Sequence, residues 1–263
     1  MRWPLHAWLV LSLLAFAGCK DAADRALSAY GVTRTTLRSA DLREARLVKV
    51  RLRAADMQAA DLTGADIREA DLSGAQMQGA QLDGVNAAPL WSGKAGDKEL
   101  FRASDRGVTK FVAADLTGSS LRRSRLESAD FTGAKLTRAV FDGSDLSGAQ
   151  FTRASLQGAS LKAVVSKSRV GDYITGSAWG DADLRGARLE NSTVEGAFFQ
   201  RNLLEGASFR GSFFKKTLFS DLDFRNVDLR GTDFSDASFQ GVKTAGAIVD
   251  ARTRWPRAGE RPR

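Results

Sequence analysis

From Thr35 onward one pattern governs the chain: a large apolar residue returns every five positions. The segments ADLRE, ADMQA, ADLTG, ADIRE and ADLSG follow one another with little variation. With the apolar residue called the centre, centres fall from Leu37 to Leu82, from Leu116 to Leu161 and from Leu184 to Phe239, 32 units in all. Two positions before the centre, 20 of the 32 residues are Ala and eight are Ser or Thr. Two positions after it, 15 are Gly.

Neither ordinary period accommodates a step of five. On an α-helix it rotates the chain by about 500°, so the centres would spread round the cylinder. On a continuous strand an odd step sends successive centres to opposite faces. All centres share an interior only if the chain turns once per unit. Four turns of about 90° close a square coil of 20 residues, and coils stack at about 4.8 Å. The 32 units then make roughly eight coils and a rod of roughly 38 Å. The small residue two before the centre fits beside it inside. Gly two after it suits a corner that needs positive φ. Phe centres number none, three and seven through the three blocks, so the interior fills toward the C-terminus.

These units resemble the pentapeptide-repeat family, with its A(D/N)LXX motif, over about 160 residues. The resemblance implies an all-β fold, a right-handed quadrilateral β-helix. The ending AIVDARTRWP resembles a terminal segment of such proteins and places Trp255 in a cap over the last coil. The repeat region spans 35–250, with interruptions at about 87–110 and 164–178 and a basic tail at 251–263. Both interruptions carry Gly, Ser and charge, the chemistry of loops. Trp91, Phe101, Tyr173 and Trp179 lie in them or at their edges and are candidate loop contacts.

Residues 1–18 read as an export signal: Arg2, then the apolar run WLVLSLLAFA, which is too short to span a membrane. The run LAFAGC resembles a bacterial lipoprotein signal, with Phe16 where leucine is usual. That resemblance implies lipidation of Cys19 and membrane anchoring, with residues 19–34 as tether or N-terminal cap. Lys20 resembles sorting to an outer membrane, facing the periplasm or the surface. A plain secretory leader is the alternative.

Cys19 is the single cysteine and His6 the single histidine. A lipidated, processed chain therefore has no free thiol or imidazole. This excludes Cys/His nucleophilic catalysis and ordinary zinc sites; no phosphate-binding fingerprint is present. We expect no enzyme activity, no cofactor and no metal. The formal charge is +8, but +4 of it lies in the tail and the body is near neutral. Nucleic-acid binding is not expected, because the single aromatic among the tail's basic residues, Trp255, is assigned to the cap and no series of stacking aromatics accompanies them.

The residue before the centre is usually polar, and aspartates there, such as Asp66 and Asp71, should point outward above Arg46 and Arg51. In the third block it is instead Phe198, Leu203, Phe213 and Leu218, which suggest an apolar patch covered by a partner, by a second copy in a homodimer, or by an interruption. The expected function is a non-catalytic scaffold for an unknown protein partner in the cell envelope. The alternative is topoisomerase protection by DNA mimicry, a role known in the family, which a neutral body and an export signal disfavour.

Overall fold

The computed structural model describes residues 35–89, 107–167 and 176–256 of the 263. They form a parallel β-solenoid in which each residue before a centre lies over its counterpart one coil later: Thr36 on Asp56, Asp41 on Asp61, Arg46 on Asp66, Arg51 on Asp71. The four faces of the first coil are headed by the centres Leu37, Leu42, Leu47 and Leu52, all buried. No helix among the described residues is long and apolar enough to cross a membrane.

One hydrogen-bond set recurs in nearly every unit. The Leu42 N–H donates to the Asp61 carbonyl (2.7 Å), Glu44 N–H to Thr63 (3.0 Å), and Asp61 N–H back to Ala40 (2.9 Å). The Ala45 N–H returns to the Leu42 carbonyl (3.1 Å), closing a turn within the unit. The residue two after the centre has positive φ, as a type II turn requires. Gly fills many of these corners, yet eighteen described non-glycine residues adopt the same conformation, among them Ala54 (φ 53°) and Arg123 (φ 52°).

In the C-terminal half the bridges lengthen into strands. These are β1 (Val165–Ser166), β2 (Ala178–Gly180), β3 (Thr193–Glu195), β4 (Phe198–Gln200), β5 (Phe213–Ser220) and β6 (Asp233–Gln240). All pairs are parallel. β1, β3 and β5 stack along the third face, β2, β4 and β5 along the fourth, and β5 turns the corner between them.

Stacking continues across both interruptions. Asp71 lies on Lys110 and Gln150 on Ala178, separations of 39 and 28 where 20 is the rule. The inserted lengths are therefore 19 and eight residues. Four centres were hidden by them: Ala87, Phe111, Ser166 and Trp179. They add one coil to the eight expected, for nine coils and about 43 Å of rod. The repeat thus runs beyond each interruption boundary read from the sequence.

The fourth face carries a continuous aromatic column through the core. Phe111, Phe131, Phe151, Trp179, Phe199, Phe219 and Phe239 stack in turn with centroids 4.8, 5.0, 4.1, 5.4, 5.2 and 5.3 Å apart. Trp179, expected as a loop contact, is 1% exposed and belongs to this column. Its in-phase position with the third block is what puts it inside. At the C-terminal end Trp255 stacks on Phe234 (5.3 Å) and leans on Phe239 (5.9 Å), the cap anticipated from the ending.

Candidate interaction surface

Ala87 and Ser166 are both third-face centres, and Phe111 and Trp179 both fourth-face centres. Both inserted segments therefore leave and re-enter at the same edge of the rod, three coils or about 14 Å apart. At each exit a small buried centre is followed by a large buried aromatic one.

A hydroxyl closes the base of each insertion. Thr109 Oγ1 donates to the carbonyls of Ala87 and Ile67, both at 3.0 Å. Ser166 Oγ donates to Ser177 Oγ (2.8 Å), which also accepts from Trp179 Nε1 (2.7 Å). These three hydroxyl residues are buried. Gly176 completes the second exit, because a Cβ there would lie 2.2 Å from the Gly196 carbonyl carbon and oxygen. Sequence reading missed these clamps. The available signal was a hydroxyl two residues before the in-phase aromatic that restarts each block, Thr109 before Phe111 and Ser177 before Trp179. Trp91, Phe101 and Tyr173 lie outside the described residues.

A second set of hydroxyls ties coils together one edge away. Ser124, Ser144, Ser192 and Thr232 donate to the carbonyls of Leu82, Leu121, Leu161 and Phe209 at 2.8, 2.6, 2.9 and 2.8 Å. Ser212 does the same to Leu189. The Ser/Thr residues two before the centre are thus small and also hydrogen-bonded, as burial of a hydroxyl demands.

The four outward apolar residues do not form one patch. Phe198 stacks on Leu218 along the fourth face, both half-buried. Leu203 is 54% exposed on the first face beside Asp183, and Phe213 is 49% exposed on the third face between Thr193 and Asp233. Ten residues separate Leu203 from Phe213, which is two units and hence opposite sides. The strip reduces to Phe198 and Leu218.

The aspartates before the centres point outward and brace the corners. Asp61 Oδ1 accepts from the Thr63 N–H (3.0 Å) and hydroxyl (2.6 Å), and Asp71 holds Ser73 the same way. Arg68, one residue after its centre, makes a bidentate pair with Asp66, with Nε and Nη2 at 2.8 and 2.6 Å. This hydrogen-bonded arginine holds the Asp66 carboxyl below its ordinary pKa. Arg46 stacks on Asp66 as the spacing required, but the close partner of Asp66 is within its own unit. Such exposed pairs contribute little each.

A quadrilateral stack of five-residue units with corner-bracing aspartates defines a class of protein, the β-solenoids built from pentapeptides. The profile of that family, pentapeptide repeats, matches in eight copies over residues 33–68, 51–86, 109–148, 129–164, 182–221 and 217–243. The chain belongs to the pentapeptide-repeat family. Among solved structures it is similar to HetL, a pentapeptide repeat protein involved in heterocyst differentiation regulation from the cyanobacterium Nostoc sp. strain PCC 7120. Identity is 20%, with 86% of this chain and 93% of that chain covered and a TM-score of 0.49. It is also similar to a pentapeptide repeat protein of the Arabidopsis thaliana thylakoid lumen (21% identity, 48% and 66% covered, TM-score 0.30). Full-length QnrB1, a plasmid-mediated fluoroquinolone resistance protein, matches at 19% identity over 83% and 93% of the two chains, with a TM-score of 0.29. A search of curated protein sequences returns no match.

Proposed function

We propose that this protein is a non-catalytic interaction scaffold held at a membrane of the cell envelope by a lipid on Cys19. The observation that carries the scaffold reading is the shared edge. Two insertions of unequal length leave one edge of the rod, each closed at its base by a buried hydroxyl. Inserted segments on a rigid support are where proteins of this kind of architecture place recognition. The anchoring reading rests on the run LAFAGC.

Topoisomerase protection by DNA mimicry is less well supported. Mimicry needs a continuous acidic surface, and the fourth-face column alternates Arg51, Asp71, Lys110, Asp130.

Metabolic labelling with palmitate tests the anchor. Label is expected in the wild type and absent from Cys19→Ala; an unlabelled wild type removes the membrane reading. Affinity capture with the full chain, compared with a variant lacking residues 90–106, tests the edge. Specific partners lost on deletion support it, and an unchanged partner set sinks it.

A further inference from the structure

The strip on the fourth face sits at the centre of a charge pattern. Phe198 stacks on Leu218, with the small residues Ala178 and Ser238 one coil beyond on either side. Glu195 lies on Lys215 along the edge between the third and fourth faces. Along the other edge of this face Arg201 precedes Asp221 by one coil, and Arg201 is held by Asp181 through Nε (2.7 Å) and Nη2 (2.9 Å). On both rims, therefore, the sign of the charge reverses between the coil of Phe198 and the coil of Leu218.

A two-fold axis lying in the face, perpendicular to the rod and midway between these coils, maps each coil onto the other. It brings Phe198 against Leu218 of a second copy, Glu195 against its Lys215 and Arg201 against its Asp221. Each of these six residues then meets a complement, which is what an isologous contact requires. The alternative axis, along the rod, also matches the rims here. It runs the whole fourth face against itself, however, and sets Arg51, Asp71, Lys110 and Asp130 opposite their own copies. Like charges directly opposite are destabilising. The antiparallel arrangement overlaps only the four C-terminal coils and leaves that column in solvent.

We propose that the Phe198–Leu218 strip is the contact of an antiparallel homodimer. The overlap is about 19 Å long and one face wide, below the size of a standard stable interface. The dimer is accordingly weak and concentration-dependent. It leaves the first insertion, near the N-terminal half, free on both copies. This inference stands apart from the scaffold reading, since self-association is measured without any partner.

Sedimentation velocity on the full chain carrying Cys19→Ser, which excludes disulfide or acyl association, is the test. Dimer is expected to grow with concentration. Phe198→Asp should leave a monomer with unchanged circular dichroism. Glu195→Lys and Lys215→Glu should each be monomeric alone, and an equimolar mixture of the two should recover the dimer. A chain that is monomeric at every concentration overturns the proposal, as does a dimer indifferent to Phe198→Asp. A mixture that stays monomeric overturns the antiparallel pairing, because only that arrangement sets position 195 against position 215.

Discussion

Phe151 and Trp179 lie face to face, their ring centroids 4.1 Å apart and their planes 8° from parallel. The second insertion separates them in the chain, yet they are consecutive rungs of one column. An insertion in this fold therefore behaves as an excursion from a corner, and the stack beneath it closes as though nothing had been added.

Excising residues 168–175 and joining Lys167 to Gly176 restores the 20-residue spacing between Gln150 and Ala178. The shortened protein should stay folded, with a β-sheet circular dichroism spectrum and a cooperative transition close to those of the parent. Excising seven residues instead leaves the column out of phase and should lower the transition sharply. Equal behaviour of the two deletions would count against the register.

Trp179→Ala removes the largest side chain of the aromatic column. A loss of about 3–5 kcal/mol is expected from denaturant unfolding. Ser177→Ala is subtler: it strips the indole Nε1 and the Ser166 hydroxyl of their shared partner, and about 1–3 kcal/mol should be lost. Adding Ser166→Ala should recover part of that, because one orphaned hydroxyl is then gone.

The repeat was legible in the sequence because large centres announce themselves, and Leu37 to Leu82 are all buried as the period requires. What escaped were centres that break the size rule. Ala87 and Ser166 are too small to register as centres, and Phe111, in phase five residues before Leu116, goes uncounted when the second block is started at Leu116. Trp179 was misjudged because its place at the edge of an interruption was given more weight than its phase with the third block, which puts it in the core. The outward aspartates were legible in direction. Their role was not, since a carboxylate bracing the backbone two residues on has no spacing signal beyond its own unit.

Corner glycines separate two physical effects. Gly79 has φ 67° and open space where a Cβ would go, so Gly79→Ala should cost only the backbone term, about 1–2 kcal/mol. At Gly176 the added Cβ meets the Gly196 backbone, so Gly176→Ala should cost more than Gly79→Ala in the same thermal denaturation assay. The reverse order would contradict the close approach of the returning chain to the coil below.

Asp250 organises the C-terminal cap. It accepts from the Gly231 N–H (2.8 Å) and Arg252 N–H (3.1 Å), and pairs with the Arg252 guanidinium (2.9 Å). The Gly231 N–H, with the Arg252 contacts, lowers its pKa to about 2. A depressed carboxylate stabilises the fold above its unfolded value of about 3.9 and loses that contribution as pH falls through its folded value. Stability of the wild type should therefore drop as pH falls from about 4 to about 2. Asp250→Asn should make that part of the profile shallower, with the other depressed carboxylates such as Asp41 and Asp66 keeping the rest; an unchanged slope would remove Asp250 as a contributor.

The most direct measurement of the account is a spin-label distance along the rod. With Cys19→Ser to remove the native thiol, labels at Thr36→Cys and Asp223→Cys sit on the first face eight coil steps apart, with both insertions between them. A continuous stack places them about 38 Å apart in a single narrow distribution. A shorter or broad distribution would mean that the stack is broken at an insertion, and the continuous rod would be wrong.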